Sequence, residues 1–243
     1  MVVNVNFGLA RYVTALALVK HNFSLSSQAR LILWTDATQT TALYDSAWQP
    51  VWPRWYDTTS LRWKSSNFLF GRISLDDFGN VPAIFLQVIQ ASSGSASAFS
   101  AQYASIYVSD PTNTAGFLQA GRLYMAEDWT PTHNFTYGNA SISWVDPSVV
   151  DTALGGTEYF EPRSMYREVT FTLPYLGLVE GVSKAFGLTR NRGVTGDFLF
   201  IWDPAVPQLM QQRSFVGRLE SINPLDYPMF NLTSMAFKIK ELV

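Results

Sequence analysis

The sequence predicts an all-β protein with one short helix: an antiparallel β-sandwich joined to a second β-sandwich domain. Three observations carry this expectation. Short runs alternate apolar and polar residues along most of the chain, as in "REVTFTLP" (residues 167–174), where Val169, Phe171 and Leu173 alternate with Glu168, Thr170 and Thr172. A period of two is the mark of a strand with one buried and one wet face. Three of the runs end in Asp-Pro, at 110–111, 146–147 and 203–204. There the proline lacks the donor a ladder needs, and the residue before it is held out of the helical region. One stretch alone has a helical period.

The elements follow in order. Val2 to Phe7 form a first strand. "ARLILWTD" (29–36), "AIFLQVIQ" (83–90), "YASIYVSD" (103–110) and "GRLYMAED" (121–128) come next. "ASISWVDP" (140–147), residues 167–174 and "DFLFIWDP" (197–204) continue the series. In "LPYLGLVEGVSKAFG" (173–187) the apolar Tyr175, Leu178, Val179, Val182 and Phe186 line one helical face, predicting a helix over 174–186 with Pro174 in its first turn and Gly187 just past its end. Gly177 and Gly181 each cost up to ~1 kcal/mol against alanine, so this helix needs a sheet to pack on. At the close of the chain Met235, Phe237 and Ile239 alternate with Ala236, Lys238 and Lys240. Chain ends usually lose order unless tied into a sheet, so Phe230, Met235, Phe237 and Ile239 are the candidates for an assembly strand. "ASSGSASAFSAQ" (91–102) has the composition of a linker or of a long loop between two strands, and a domain boundary is expected after Asp110, in "DPTNTAG". No period of 20–50 residues repeats, which argues against a propeller or solenoid.

Composition narrows the function. Of 243 residues 47% are hydrophobic, so the chain can bury a core, while 15% are charged against the roughly 25% usual in soluble domains. Aromatics also reach 15%. Interfaces lose charge and gain rings in the same way, which favours a surface that meets other protein. A net charge of −2 argues against a partner bound by phosphate neutralisation. Lys and Arg number 7 against 5 Asp and Glu in residues 1–108, and 10 against 14 in 109–243, leaving the second half at about −4. Cysteine is absent, which excludes disulfides, thiol nucleophiles and thiolate metal sites. No stretch reaches the ~18 apolar residues of a membrane span. The most apolar, "YVTALALV" (12–19), lacks the flanks of a signal peptide, and the sequons at Asn22, Asn134, Asn139 and Asn231 are taken as chance.

Catalytic signatures are missing: no G-x-S-x-G elbow, no H-E-x-x-H, and no histidine beyond His21 and His133. Asp76–Asp77 and Glu127–Asp128 are neighbours that point to opposite faces of an extended chain, so neither pair is a shared acid/base site. "LDDFGN" (75–80) lacks the spacing of a calcium loop and is expected to be a turn. No enzyme, cofactor or metal is expected. The densest aromatic stretch, "YDSAWQPVWPRWYDTTSLRW" (44–63), offers Trp48, Trp52, Trp55 and Trp63 as core residues, as interface anchors or as a platform for sugar rings; nothing in its spacing separates these uses.

The second half resembles a family. "GRLYMAEDWTPTHNFTYGNASISWVDPS", "ALGGTEYFEPRSMYREVTFTLPYL", "GDFLFIWDP", "RSFVGRLESI" and "FNLTSMAFKIKEL" are similar to minor tail proteins of siphophages, closest to those of Mu-like transposable phages and in role to distal tail proteins; "ARLILWTDATQTTALYDSAWQPVWP" extends the likeness to the first half. The resemblance is one of diffuse pattern over most of the chain. It implies a tail-tube-like β-sandwich with one helix over 109–243, a jelly-roll or galectin-like sandwich over 20–108, and an N-terminal strand in 1–19 that joins the tube-like domain. It further implies a structural ring, often a hexamer, at the tail tip or baseplate of the virion, made in the host cytoplasm. Its partners would be copies of itself, the tail tube protein, and the hub and tape-measure proteins, with DNA passing through; host surface glycan is the alternative partner. Neither a membrane nor sequence-specific nucleic acid is implied.

Overall fold

The computed structural model describes residues 1–55, 83–89, 99–136 and 138–242. The chain divides into two compact units, residues 1–128 with 201–213, and residues 129–200 with 214–243. Among the described residues its strand pairings are antiparallel, the all-β architecture that the alternating runs predict.

In the first unit the chain changes sheets at Thr14. β1 (Val2–Val13) ends one residue before it and β2 (Ala15–His21) starts one residue after. β1 joins β3 (Gln28–Trp34), β4 (Ala42–Asp45), β5 (Gln49–Pro50) and β7 (Phe99–Ser109) in a sheet of order β1-β7-β3-β4, with β5 also on β3. β2 is the middle of a second sheet, between β6 (Ile84–Val88) and β8 (Ala120–Ala126). The Thr14 backbone is already held by the second sheet, its N–H donating to the Ala126 carbonyl of β8 at 3.0 Å and its carbonyl accepting from Ile89 N–H, next to β6, at 2.8 Å. Leu16 and Leu18 of β2 and Phe85 of β6 meet Leu31 and Leu33 of β3 and Ala104 and Ile106 of β7 in one buried cluster. Side chains of this size contribute about 1.5–3 kcal/mol each on full burial.

Two expectations about domains are corrected here. Residues 1–19 do not join the second domain, because β1 pairs with β7 and its Val3, Val5 and Phe7 pack on the first unit's core. With a single residue between β1 and β2, the chain has no length to carry β1 elsewhere. The boundary expected after Asp110 falls instead after Asp128, since "DPTNTAG" is the loop that returns β7 to β8 within the same sandwich. The first unit also takes back residues 201–213, which include a short helix over Pro207–Arg213 that the sequence pattern does not reveal. There Gln211 donates to the Ile84 carbonyl at 3.1 Å and accepts from the Trp55 indole at 3.3 Å.

The second unit contains β9 (Ala140–Val145), β10 (Val149–Thr152), β11 (Glu158–Glu161) and β12 (Tyr166–Gly177), then β13 (Asp197–Phe200), β14 (Phe215–Leu219), β15 (Leu225–Met229) and β16 (Leu232–Glu241). Its main sheet has the order β13-β14-β16-β12-β9, with β15 also on β16. The closing strand therefore pairs with three others. Val169, Phe171 and Leu173 stand opposite Ile239, Phe237 and Met235, and Phe171 stacks on Phe237 at 5.3 Å between ring centres. Trp129 and Phe135 lie against the same apolar face. On the other face Lys238 bridges Glu168 at 3.2 Å and Glu220 at 2.6 Å.

The helix departs from its predicted span and facing. Pro174 and Tyr175 remain in β12, where a register irregularity between Leu173 and Leu176 accommodates the missing proline donor. Helix α1 then runs over 178–192, α-helical at Leu178–Glu180 and Gly187–Arg192 and π-helical across Gly181–Phe186. It ends at Gly193, whose φ of 54° few other residues adopt. The residues it buries are small: Gly181, Ala185, Gly187 and Thr189. A Cβ on Gly181 would stand 2.0 Å from Thr233 Oγ1, so only glycine lets the helix backbone come this close to β16. Leu178, Val179, Val182 and Phe186, expected to face the sheet, are exposed instead.

A candidate assembly surface

The tryptophans named from the sequence do not form a common face. Trp52 is 1% exposed, donating its indole N–H to the Phe23 carbonyl at 3.2 Å and standing edge-on to His21 at 5.3 Å. Trp55 is half-buried on the same core, its indole N–H spent on Gln211. Trp48 is exposed. Trp63 lies outside the described residues, as do Asp76, Asp77 and "LDDFGN". Trp52 has no ring face left on which a sugar could stack. His21 is also a core residue. Burial lowers its pKa to about 4, and its Nδ1 accepts from the Phe23 amide at 3.3 Å.

A cleft of about 270 Å³ in the first unit is lined by Pro50, Pro53, Pro204, Met210, β6 and the side chains of Gln49, Gln87 and Gln211, with no titratable group among its described lining residues. Those described residues have no group to move a proton or hold a metal. Among the described residues no cluster of three His, Asp or Glu could hold a metal ion.

The closing strand is equally internal. Met235, Phe237 and Ile239 are buried in the second unit's own core, so they are not contact residues; Phe230, at the turn into β16, is 93% exposed. The apolar surface that does reach solvent lies elsewhere in this unit. Among the described residues β10 and β11 form a two-stranded hairpin with no third strand, and all eight of their residues are exposed. Val150 stands opposite Phe160 on one face, and Asp151 opposite Tyr159 on the other, so each face presents a ring to solvent. Leu154 is fully exposed at the tip, ahead of Gly155 and of Gly156, whose φ is 82°.

No family model matches this chain, and no curated protein or solved structure matches it. The outward stripe of α1 adds Val179, 80% exposed, with Val182 and Phe186, and Tyr227 and Met229 of β15 stand exposed beside Phe230. The foot of the helix is fixed, since Glu180 accepts from the Trp129 indole at 3.1 Å and the Thr132 amide at 3.0 Å. Partial burial pushes its carboxyl up, but these donors outweigh that and hold it below its ordinary value. A signal for the hairpin was present in the sequence, for "VVDTALGGTEYFE" (149–161) places two strand-forming runs around Gly-Gly. No such signal exists for the facing of the helix, because the π-helical turn changes the period on which the apolar stripe was laid out.

Proposed function

We propose that this chain is a non-enzymatic structural subunit that assembles with copies of itself, as a ring component of a siphophage tail tip or baseplate. The observation that carries the reading is the β10–β11 hairpin. A two-stranded ribbon is at best marginally stable in water, and this one holds Val150 and Phe160 on one face and Tyr159 on the other, all three exposed among the described residues. Scattered apolar residues are ordinary on a surface, whereas a continuous set on one arm marks an interaction site. The outward stripe of α1 and the tip around Phe230 supply further surface of this kind in the same unit.

The phage assignment is supported by the tail-protein resemblance and by the helix packed on an antiparallel sheet in the second unit. In such a particle the subunit would join the tail tube to the hub and tape-measure proteins and leave a passage for DNA. The −4 balance of residues 109–243 suits a channel that does not hold DNA. Sugar recognition loses Trp52 to the core and has no separate observation in its favour.

Light scattering of the purified protein over a range of micromolar concentrations, with electron microscopy of the same sample, tests the assembly. Closed oligomers of one size are expected. A monomer at every concentration overturns the reading, and absence of the chain from purified virions overturns the phage assignment.

A further inference from the structure

Strand β6 stands at one edge of the first unit's second sheet, with no strand beyond it among the described residues. Lys20 N–H donates to the Ala83 carbonyl and Ile89 N–H to that of Thr14, each at 2.8 Å. Bonded pairs alternate along an antiparallel ladder. With Leu18 opposite Phe85 and Leu16 opposite Gln87, it is Phe85 and Gln87 that bond β2, and the backbone groups of Ile84, Leu86 and Val88 point away from it. The Ile84 carbonyl bears this out, for on that outer side it accepts from Gln211 Nε2 at 3.1 Å. Among the described residues no group bonds the N–H or the carbonyl of Leu86 or of Val88. Yet Leu86 is only 9% exposed.

Buried backbone groups are almost always paired, and open strand edges are ordinarily blunted by a charge, a proline or a bulge. β6 reads Ile-Phe-Leu-Gln-Val, pairs in unbroken register and has none of these. It lines the cleft of about 270 Å³ together with Pro50, Val51, Pro53, Pro204, Met210 and Gln211. An edge set inside a cleft admits a single extended chain and excludes the rim of another folded sheet. None of the described lining residues is titratable, so a charged side chain would be desolvated there without a partner. We propose that this cleft binds an extended, uncharged segment of a partner polypeptide, whose main chain pairs with Leu86 and Val88 as an added strand while its small or apolar side chains lie against the prolines and Met210. Roughly three residues of such a segment span the two open positions. In strand addition the main-chain bonds supply the affinity and the walls supply the selectivity. This site goes beyond the self-assembly reading and stands apart from it, because it lies in the first unit and uses no residue of the assembly surface.

Amide hydrogen exchange of the full chain, measured by NMR at Leu86 and Val88 with and without millimolar capped peptides, tests the site. The probes are Ac-Val-Thr-Val-Thr-Val-NH2, its counterpart with lysine in place of both threonines, and its counterpart methylated at every amide nitrogen. The neutral peptide is expected to slow exchange at these two amides roughly ten-fold or more and to leave the amides of β2 unchanged. The lysine and methylated peptides are expected to have no such effect. Slow exchange at both amides in the protein alone means that the chain covers its own edge, and overturns the proposal. So do unchanged rates with the neutral peptide, or equal slowing by the methylated one. As a second measurement, Leu86→Pro removes the outward N–H at an edge position that tolerates proline, and Met210→Glu places a charge in the cleft. Each is expected to weaken the neutral peptide's effect roughly ten-fold, and retention of the full effect in the folded variants overturns the pairing. A change in the oligomer seen by light scattering bears on self-assembly alone.

Discussion

Gly181 shows how much one missing methyl group can decide. Its absence brings α1 against Thr233, and Gly181→Ala is expected to destabilise the protein by about 1–3 kcal/mol through overpacking. Thr233→Ala, which removes the clashing hydroxyl, should make the double variant more stable than the sum of the two single changes predicts; denaturant unfolding of the four proteins measures this. Arg167 is a second such position. Its guanidinium is buried, pairs with Glu241, and lies 4.9 Å over the Phe215 ring and 5.7 Å over that of Trp144. Glu241→Ala leaves that cation without its partner and should cost about 3–5 kcal/mol, while Arg167→Met combined with Glu241→Leu should recover most of the loss in the same unfolding assay. His21 predicts a pH dependence. Its folded pKa of about 4 lies below the ordinary 6.5, so the unfolded chain binds the extra proton between these values. Stability is then full above about pH 6.5 and falls on acidification toward pH 4, by up to about 3 kcal/mol from this residue. Unfolding free energies at pH 7.5 and 4.5 should differ less in His21→Leu than in the parent protein.

At the scale of elements, the hairpin separates assembly from folding. Val150→Ser with Phe160→Ser removes exposed apolar groups that touch no core, so light scattering should shift toward monomer while the melting temperature of the isolated chain stays unchanged. The strands were legible because their period survives folding: residues 168–173 and 235–240 pair with each other, apolar against apolar. Composition also conveyed that Gly177 and Gly181 demand a sheet beneath the helix. What it could not convey is that the glycine itself is the contact. A helix can approach a sheet through its smallest residues and turn its largest ones outward, and a hydrophobicity pattern assigns those faces the opposite way. The aromatic stretch at 44–63 fails for a related reason. Trp48, Trp52 and Trp55 are alike in sequence, but one is exposed, one is in the core and one is bound to Gln211, a residue 156 positions from its partner.

For the molecule as a whole, the division into units follows contacts more than chain order. Residues 201–213 belong with 1–128, and through Gln211 they satisfy both the Ile84 carbonyl and the Trp55 indole. A chain ending at Asp128 therefore leaves two polar groups without their partner. It is expected to be less stable by about 2 kcal/mol than the corresponding unit of the full chain, as measured by hydrogen exchange at β6 amides. Removal of the residues from Phe230 onward is more severe. It deletes the strand shared by β12, β14 and β15, so circular dichroism should report loss of structure in the second unit as well as loss of oligomer.

That discontinuity also sets a timetable for biosynthesis. The ribosome delivers residues 1–128 first, but the segment from Ile201 to Arg213 emerges only about 70 residues later, roughly 4–14 s at ordinary elongation rates. During that interval the nascent sandwich waits with Ile84 and Trp55 unsatisfied, and it matures only after most of its neighbour has been translated. Neither half can finish early, so a cell making this protein holds few chains with one part ripe and the other not yet begun.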